Sequence, residues 1–257
     1  MSPILYTSHA GIATLRVNRP QARNALNWAA QEAFAAAVQT AASDPDLRVL
    51  IISGSGSAFV AGGDLRELHA HPEREAGERL NRIMGQALAQ LAELPCPVIG
   101  AVNGDAAGGG VEVLTACDLR LAVPHANFHL VQVRMGLTTG WGGAARLVRL
   151  VGLSRALDWM LNGRSLSAAE LHQIGFLHRL TAEGEDVLTA AHAWAEELCA
   201  LPRHSLAALK QLLRFADHNS LREGYARETE LFTELYGTAD NREGINAFLE
   251  KRPAKFG

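Results

Sequence analysis

Gly104-Asp105-Ala106-Ala107-Gly108-Gly109-Gly110-Val111-Glu112 is the stretch of sequence that decides the fold. It follows a short apolar run over residues 97–102, typical of a buried strand, and leads into a predicted short helix over residues 111–117. Glycine lets the backbone approach a ligand closely, and the first amides of a helix have no partner within it. The stretch therefore predicts a site for a developing oxyanion, with Glu112 beside it as an acid or base. Close packing of helix on strand is the structural alternative.

A second glycine-rich stretch lies upstream. Gly54-Ser55-Gly56-Ser57-Ala58-Phe59-Val60-Ala61-Gly62-Gly63-Asp64-Leu65 also follows a strand-like run, residues 49–52. Two such turns can supply two backbone N–H groups to one oxyanion. Neither stretch matches the dinucleotide-binding or phosphate-loop glycine patterns, so a nicotinamide or nucleoside-triphosphate enzyme is the weaker interpretation.

The rest of the chain alternates strands with helices. We predict a β-hairpin over residues 4–17 around Gly11, and a helix that starts at Asn24 or Asn27 and runs to about Ala42. Further predicted strands cover residues 48–53, 98–102 and 119–123, with helices from near Asp64 and over residues 78–94. From about residue 190 the periodicity is helical, over residues 190–201, 205–216, 221–236 and 241–252. The pattern indicates repeated ββα units followed by a helical C-terminal module.

Composition excludes several classes of protein. With 257 residues, of which 48% are hydrophobic and 20% charged, the chain can bury a full core. A net charge of −3 with scattered Lys and Arg argues against nucleic-acid binding. The three cysteines, Cys96, Cys117 and Cys199, predict reduced thiols, and His69 and His71 lie on different helix faces, which makes a poor metal pair. No apolar run approaches the roughly 18 residues that span a bilayer, so we expect a cytoplasmic protein with no membrane or metal partner.

Together the two glycine stretches resemble the crotonase, or enoyl-CoA hydratase/isomerase, superfamily. Landmarks of the same resemblance follow in the expected order at residues 18–26, 116–122 and 242–252, and so span nearly the whole chain. The resemblance implies an α/β crotonase-like fold, a spiral of ββα repeats. It also implies a catalytic domain over residues 1–189 and a helical module over residues 190–257 that assembles homotrimers or hexamers, the latter as dimers of trimers.

The resemblance also implies the chemistry, which passes through the enolate of an acyl-CoA thioester. By their position in the family motifs, the amides of Gly63 and Gly109 are the two oxyanion donors. Glu112 matches one of the two catalytic glutamates of the hydratases, whereas the position of the second is occupied by Gln132. An amide can orient water but cannot exchange a proton near neutral pH, so we expect weaker hydration from Glu112 alone.

Gln132 leaves the reaction open between several alternatives. The first is an acyl-CoA lyase that hydrates an enoyl-CoA. The second is decarboxylation of an alkylmalonyl-CoA, such as ethylmalonyl- or methylmalonyl-CoA, because this reaction needs no second carboxylate. Residues 135–143, with Trp141, also resemble alkylmalonyl-CoA decarboxylase-like members of the superfamily. An enoyl-CoA isomerase and a catalytically silent member that binds acyl-CoA or a partner protein are the remaining alternatives.

Coenzyme A, as part of the substrate, is the one small molecule that the resemblance implies, and no separate cofactor is expected. Arg23, Phe248 and Lys251 match positions that approach its phosphate and adenine end, with the tail positions sometimes coming from a neighbouring subunit. Trp141 is a candidate wall of the acyl pocket. His129 and Arg134 can hold a carboxylate, although surface or structural roles fit them better. The remaining candidate contacts with coenzyme A or the acyl group are Ala25, Leu26, Ala61, Asp64 and Leu65.

Overall fold

The N-terminal hairpin forms one edge of a six-stranded sheet in the computed structural model, which describes residues 2–256. Strands β1 (Ile4–His9) and β2 (Ile12–Val17) pair antiparallel. Ala10 and Gly11 join them, with φ angles of 48° and 80°. Two successive positive φ angles match the twist of a two-residue hairpin turn. The hairpin predicted around Gly11 is therefore confirmed.

Parallel strands build the rest of this sheet. Strands β3 (Val49–Gly54) and β4 (Val98–Val102) are buried at every residue, as expected where both faces of a parallel sheet are covered. Beyond β4 lie β6 (Leu119–Ala122) and β9 (Arg179–Leu180), which gives the order β1-β2-β3-β4-β6-β9. A separate three-stranded sheet has the order β5-β7-β8 and consists of β5 (Ala106–Ala107), β7 (Asn127–His129) and β8 (Ser165–Ser167).

Helices cover these sheets in the predicted alternation. The α/β class is confirmed, and ββα units recur as β1-β2-α1, β4-β5-α4 and β6-β7-α5. Here α1 is Trp28–Ser43, α4 is Gly109–Ala116 and α5 is Gly143–Val151. The side chain of Asn27 accepts a hydrogen bond from Ala30 N, so of the two predicted start sites for α1, Asn27 is the N-cap. The other helices of this part are α2 (Leu65–Ala70), α3 (Arg74–Glu93), α6 (Leu153–Leu161) and α7 (Ala168–Gln173).

Four helices complete the described chain: α8 (Val187–Cys199), α9 (Arg203–His218), α10 (Leu221–Leu235) and α11 (Ala239–Glu250). Helix α8 packs across β2, β3, β4 and β6, and its Val187, Ala191, Trp194 and Ala195 belong to the main core. The predicted boundary at residues 189/190 falls inside this helix, and of the four C-terminal helices α9, α10 and α11 contribute no residue to the main core. No helix within residues 2–256 is long and apolar enough to cross a membrane.

Candidate active site

The two glycine turns of the sequence lie against each other. Phe59 N donates to Asp105 O at 3.0 Å and Ala107 N donates to Val60 O at 3.0 Å, which joins the segment after β3 to the segment around β5. A Cβ atom on Gly110 would overlap Val60 O. One on Gly62 would lie 2.9 Å from Gly109 N. Glycine is therefore required at both turns because the two backbones are in direct contact.

Each turn presents a backbone N–H that no other described residue uses. Leu26 N donates to Gly62 O and Leu26 O accepts from Asp64 N, so the intervening Gly63 N points away from Leu26. Gly109 is the first residue of α4, which begins two residues earlier than predicted. Within residues 2–256, neither Gly63 N nor Gly109 N donates a hydrogen bond. These are the two amides predicted to bind an oxyanion, and their arrangement supports that hypothesis.

Glu112 is buried, with 4% of its surface exposed, and its two carboxylate oxygens are bound unequally. Oε2 accepts from Trp141 N at 2.8 Å and from Gly143 N at 3.0 Å. Oε1 has only the longer contacts with Gly140 N, at 3.3 Å, and with Gln132 Nε2, at 3.4 Å. Oε2 is thus the anchored oxygen, and Oε1 is the one whose lone pairs are free for chemistry.

Gln132 brings a second acceptor next to Glu112 Oε1. Its Nε2 donates to Glu112, and its own Oε1 is buried without a hydrogen-bond partner among residues 2–256. A buried polar atom without a partner is rare and marks the place of a water molecule or a ligand donor. A water molecule placed between this oxygen and Glu112 Oε1 would donate a hydrogen bond to each.

Trp141, the candidate wall of the acyl pocket, lies against the Gly109 turn. Its side chain is 3% exposed, and a Cβ atom on Gly109 would overlap its six-membered ring. The indole therefore covers the Cα atom of the glycine whose amide is free. On the other side of the loop, a Cβ atom on Gly143 would overlap Glu112 Cγ. The segment 140–143 consequently fixes both the acid/base and one donor turn.

The candidate coenzyme A residues near the N-terminus lie around the Gly63 turn. Asp64 is the N-cap of α2 and pairs with Arg19 at 2.9 Å, and Leu65 beside it is 60% exposed. Ala25 and Ala61 are half-buried in the two joined segments. The side chain of Leu26 is fully buried and its backbone holds the Gly62–Asp64 turn, which is a different role from the predicted contact with coenzyme A.

Arg23 is exposed and forms an ion pair with Asp105 at 3.1 Å. Burial alone would raise the pKa of Asp105, but hydrogen bonds from Asn127 and the nearby His129 and Arg23 hold it below its usual value. His129 Nδ1 also lies 2.7 Å from Ser165 Oγ, so His129 links β7 to β8. Arg134 lies against Gly163. Both His129 and Arg134 thus have structural contacts.

Phe248 and Lys251 lie at the end of α11, away from the glycine turns. Phe248 is 84% exposed beside Phe232 and Leu249, and Lys251 is also exposed. The described hydrogen bonds and ion pairs do not join either side chain to Gly63, Gly109 or Glu112.

Sequence reasoning did not identify the residues that hold Glu112. These are Gly140 and Gly143, which donate to its carboxylate, together with Thr115 and Arg146 beneath it. The available signal was the glycine cluster at residues 140–143 directly before α5, because unpaired amides at a helix start bind a carboxylate just as they bind an oxyanion.

Comparison with known proteins gives one consistent result. A sequence profile of the family described as enoyl-CoA hydratase/isomerase matches residues 7–257. The chain is 37% identical over 259 residues to a 2,3-dehydroadipyl-CoA hydratase of Escherichia coli, covering 100% of this chain and 99% of that protein. It is 35% identical over 252 residues to human enoyl-CoA hydratase domain-containing protein 2, covering 96% and 85% of the two chains.

Solved structures agree. A crystal structure of an enoyl-CoA hydratase from a Polaromonas species superposes with a TM-score of 0.93 at 31% identity, covering 99% of both chains. That of an enoyl-CoA hydratase from Bacillus anthracis also gives a TM-score of 0.93, at 28% identity, covering 99% of this chain and 98% of that one.

Proposed function

This chain belongs to the enoyl-CoA hydratase/isomerase family and acts on an acyl-CoA, and from this premise we propose that it adds water across the double bond of an enoyl-CoA. One observation supports hydration in particular. Two acceptors belong to buried side chains that are in contact: Glu112 Oε1, and Gln132 Oε1, which has no hydrogen-bond partner among residues 2–256. A water molecule can donate to both, which directs its own lone pair at the substrate.

In the proposed reaction the thioester oxygen lies between Gly63 N and Gly109 N. Glu112 Oε1 removes a proton from the water while the water oxygen bonds to C3. The electrons of the double bond then move toward the thioester oxygen, which forms an enolate. The two amides stabilise that charge, and loss of one such donor typically costs about 3 to 4 kcal/mol. Glu112 then returns the proton to C2. Because one oxygen performs both transfers, hydrogen and hydroxyl are added to the same face, and no cofactor is required.

Decarboxylation of an alkylmalonyl-CoA is the second candidate. It is favoured by the uncharged side chain of Gln132 where a second carboxylate would repel the carboxylate of the substrate. The orientation of Gln132 opposes it, because Nε2 is used by Glu112 and the free atom is an acceptor. A substrate carboxylate at this place would meet two acceptor oxygens and no donor. An isomerase has less support still, since the glutamate typical of isomerases would stand at position 132.

The proposal is tested by mass spectrometry of the purified protein with crotonyl-CoA and, separately, with ethylmalonyl-CoA. Glu112→Gln is the matched variant, because it keeps the shape of the side chain but cannot accept the proton. We expect addition of water to crotonyl-CoA by the natural protein and at least about a 100-fold loss in Glu112→Gln. Loss of carbon dioxide from ethylmalonyl-CoA alone would establish the second candidate. Binding of both thioesters without turnover would identify a silent member of the family.

A further inference from the structure

Arg146 lies behind the candidate active site and bonds to both segments that hold Glu112. Its Nη2 donates to Trp141 O at 2.6 Å, and its Nε donates to Thr115 Oγ1 at 3.1 Å. Thr115 Oγ1 in turn donates to Glu112 O at 2.7 Å. The guanidinium therefore bridges the 140–143 loop and helix α4 one turn below the catalytic carboxylate.

The packing around Arg146 makes this bridge specific to a guanidinium group. A Cβ atom on Gly142 would lie 3.0 Å from Arg146 Nη1, so the guanidinium is directly against the loop backbone. Gly142 has a φ of 78°, in the left-handed region, and it turns the chain into α5. The fork of an arginine can bond a carbonyl and a hydroxyl at once, which an ammonium group cannot do with the same geometry.

Arg146 also differs from Arg149 and Arg214 in its ion pairing. Arg149, one turn further along α5, pairs with Asp217, and Arg214 pairs with Asp118. In the described chain no carboxylate within salt-bridge distance pairs with Arg146. Burial lowers its pKa, and among its charged neighbours the carboxylate of Glu112 has the largest opposing effect. Glu112 is thus the carboxylate whose charge most favours the charged form of Arg146.

We propose that Arg146 is a positioning residue for the acid–base step, which ties the 140–143 loop to α4 and so keeps Glu112 Oε1 turned toward the substrate. This inference rests on the proposed function of Glu112. It assigns no substrate contact to Arg146. Loss of the bridge frees Trp141 O and lets the loop move. Trp141 N and Gly143 N belong to this loop and anchor Oε2, so the orientation of the carboxylate changes with it.

The experiment compares Arg146→Met and Arg146→Lys with Arg149→Met in the full-length protein. Arg149→Met is the matched control, because it removes the same charge from the same helix but no bond to the loop. Two properties are measured: kcat and KM for crotonyl-CoA hydration, and amide hydrogen exchange of the peptide that contains Trp141 and Gly143.

We expect Arg146→Met to lower kcat by about 10- to 100-fold with KM within about twofold, since small displacements of a catalytic group have effects of this size. Exchange at the 140–143 loop should become faster. Arg146→Lys should give intermediate values for both, and Arg149→Met should match the natural protein.

Two outcomes would overturn the inference. One is an Arg146→Met protein whose kcat and loop exchange equal those of Arg149→Met. The other is full wild-type behaviour of Arg146→Lys, which would show that the guanidinium fork is not needed. If the natural protein hydrates no enoyl-CoA but loop exchange still rises only in the Arg146 variants, the proposed function fails while the bridge between loop and helix is upheld.

Discussion

Glu112 has one firmly anchored carboxylate oxygen and one loosely bound oxygen, and in the proposed reaction this asymmetry decides which of the two takes part in proton transfer. Oε2 is held by two backbone amides at 2.8 and 3.0 Å, whereas both contacts of Oε1 are 3.3 Å or longer. Backbone donors keep their positions better than long side chains do, so the carboxylate has one favoured orientation. A disturbance of the anchor should therefore affect the chemical step more than the binding of the thioester.

Gly143→Ala tests this anchor. The added methyl group would overlap Glu112 Cγ. It would therefore displace the carboxylate, so that Oε2 moves away from its two donors, Trp141 N and Gly143 N. We expect a loss in kcat of about 100-fold with little change in KM, from steady-state kinetics with crotonyl-CoA. Gly140→Ala adds the same group to the same loop where no atom lies within 4 Å, and it should give the smaller loss. Equal losses in the two variants would contradict the anchoring role of Gly143.

Gln132 supplies a second test at the scale of one residue. Gln132→Glu restores a carboxylate beside Glu112, and a second group able to exchange a proton should raise kcat for crotonyl-CoA hydration by at least about tenfold. Gln132→Leu removes the buried acceptor and should lower kcat, because the water loses one of its two partners. A folded Gln132→Glu protein without a gain would mean that pocket shape, rather than the missing carboxylate, limits hydration.

The sequence predicted some members of this site and missed others for a physical reason. Gly109 and Glu112 stand three residues apart in one turn, so local spacing brings them together. The partners of the Glu112 carboxylate, from Gln132 to Gly143, follow 20 to 31 residues later and meet it only after β6, β7 and α5 have packed. The direction of the Gln132 amide also depends on that packing.

At the scale of elements, helix α4 connects the donor turn at its start with a buried arginine at its end. Arg120 is 2% exposed, and its guanidinium donates to Leu114 O, Cys117 O and Phe176 O. Burial lowers the pKa of Arg120 to about 10, so it remains charged at neutral pH. The positive charge lies where the dipole of α4 is negative, which favours the geometry of the whole helix.

Arg120→Met should consequently destabilise the fold. The variant fills a similar volume but leaves Cys117 O and Phe176 O without a donor, whereas Leu114 O keeps the bond from Cys117 N. We expect the free energy of unfolding to fall by about 3 kcal/mol. Denaturant unfolding at fixed protein concentration measures this. Arg222→Met, on an exposed position of α10, is the control and should change stability little. A loss of less than about 1 kcal/mol for Arg120→Met would show that the surrounding chain relaxes to satisfy these carbonyls.

Elements with strong local patterns were predicted well, and elements defined by pairing were not. The central strand β4 was predicted at its observed bounds because it is an uninterrupted apolar run, and Asn27 marked the start of α1. Strands β5 and β9 are only two residues long, and the paired residues of β7 and β8 are 36 to 40 positions apart in the sequence. Such short strands have no period of their own, since their partners alone define them.

At the scale of the whole molecule, exposed apolar side chains within residues 2–256 form two surfaces. The C-terminal surface lies on α9, α10 and α11 and comprises Leu209, Leu213, Tyr225, Phe232, Tyr236 and Leu249, all at least 53% exposed. The α5–α6 surface lies beside the Gln132 segment and comprises Val133, Leu137, Leu153, Leu157 and Leu161, all at least 44% exposed. Large exposed apolar areas of this kind mark interfaces. We propose that copies of the chain pack one surface onto the other, which closes a ring such as a trimer.

Pairing of two different surfaces predicts an unusual result on mixing variants. Leu157→Asp and Leu249→Asp should each reduce the assembly to species near the 27.6 kDa chain mass in sedimentation velocity, because each buries a charge in the interface. Each variant keeps one intact surface, so an equal mixture should form a dimer from the intact surface of each, without closing a ring. Thr40→Asp, on the exposed side of α1, is the control and should leave the assembly unchanged. A mixture that stays monomeric would contradict the pairing of these two surfaces. So would single variants that remain dimeric, because each intact surface would then be contacting its own counterpart.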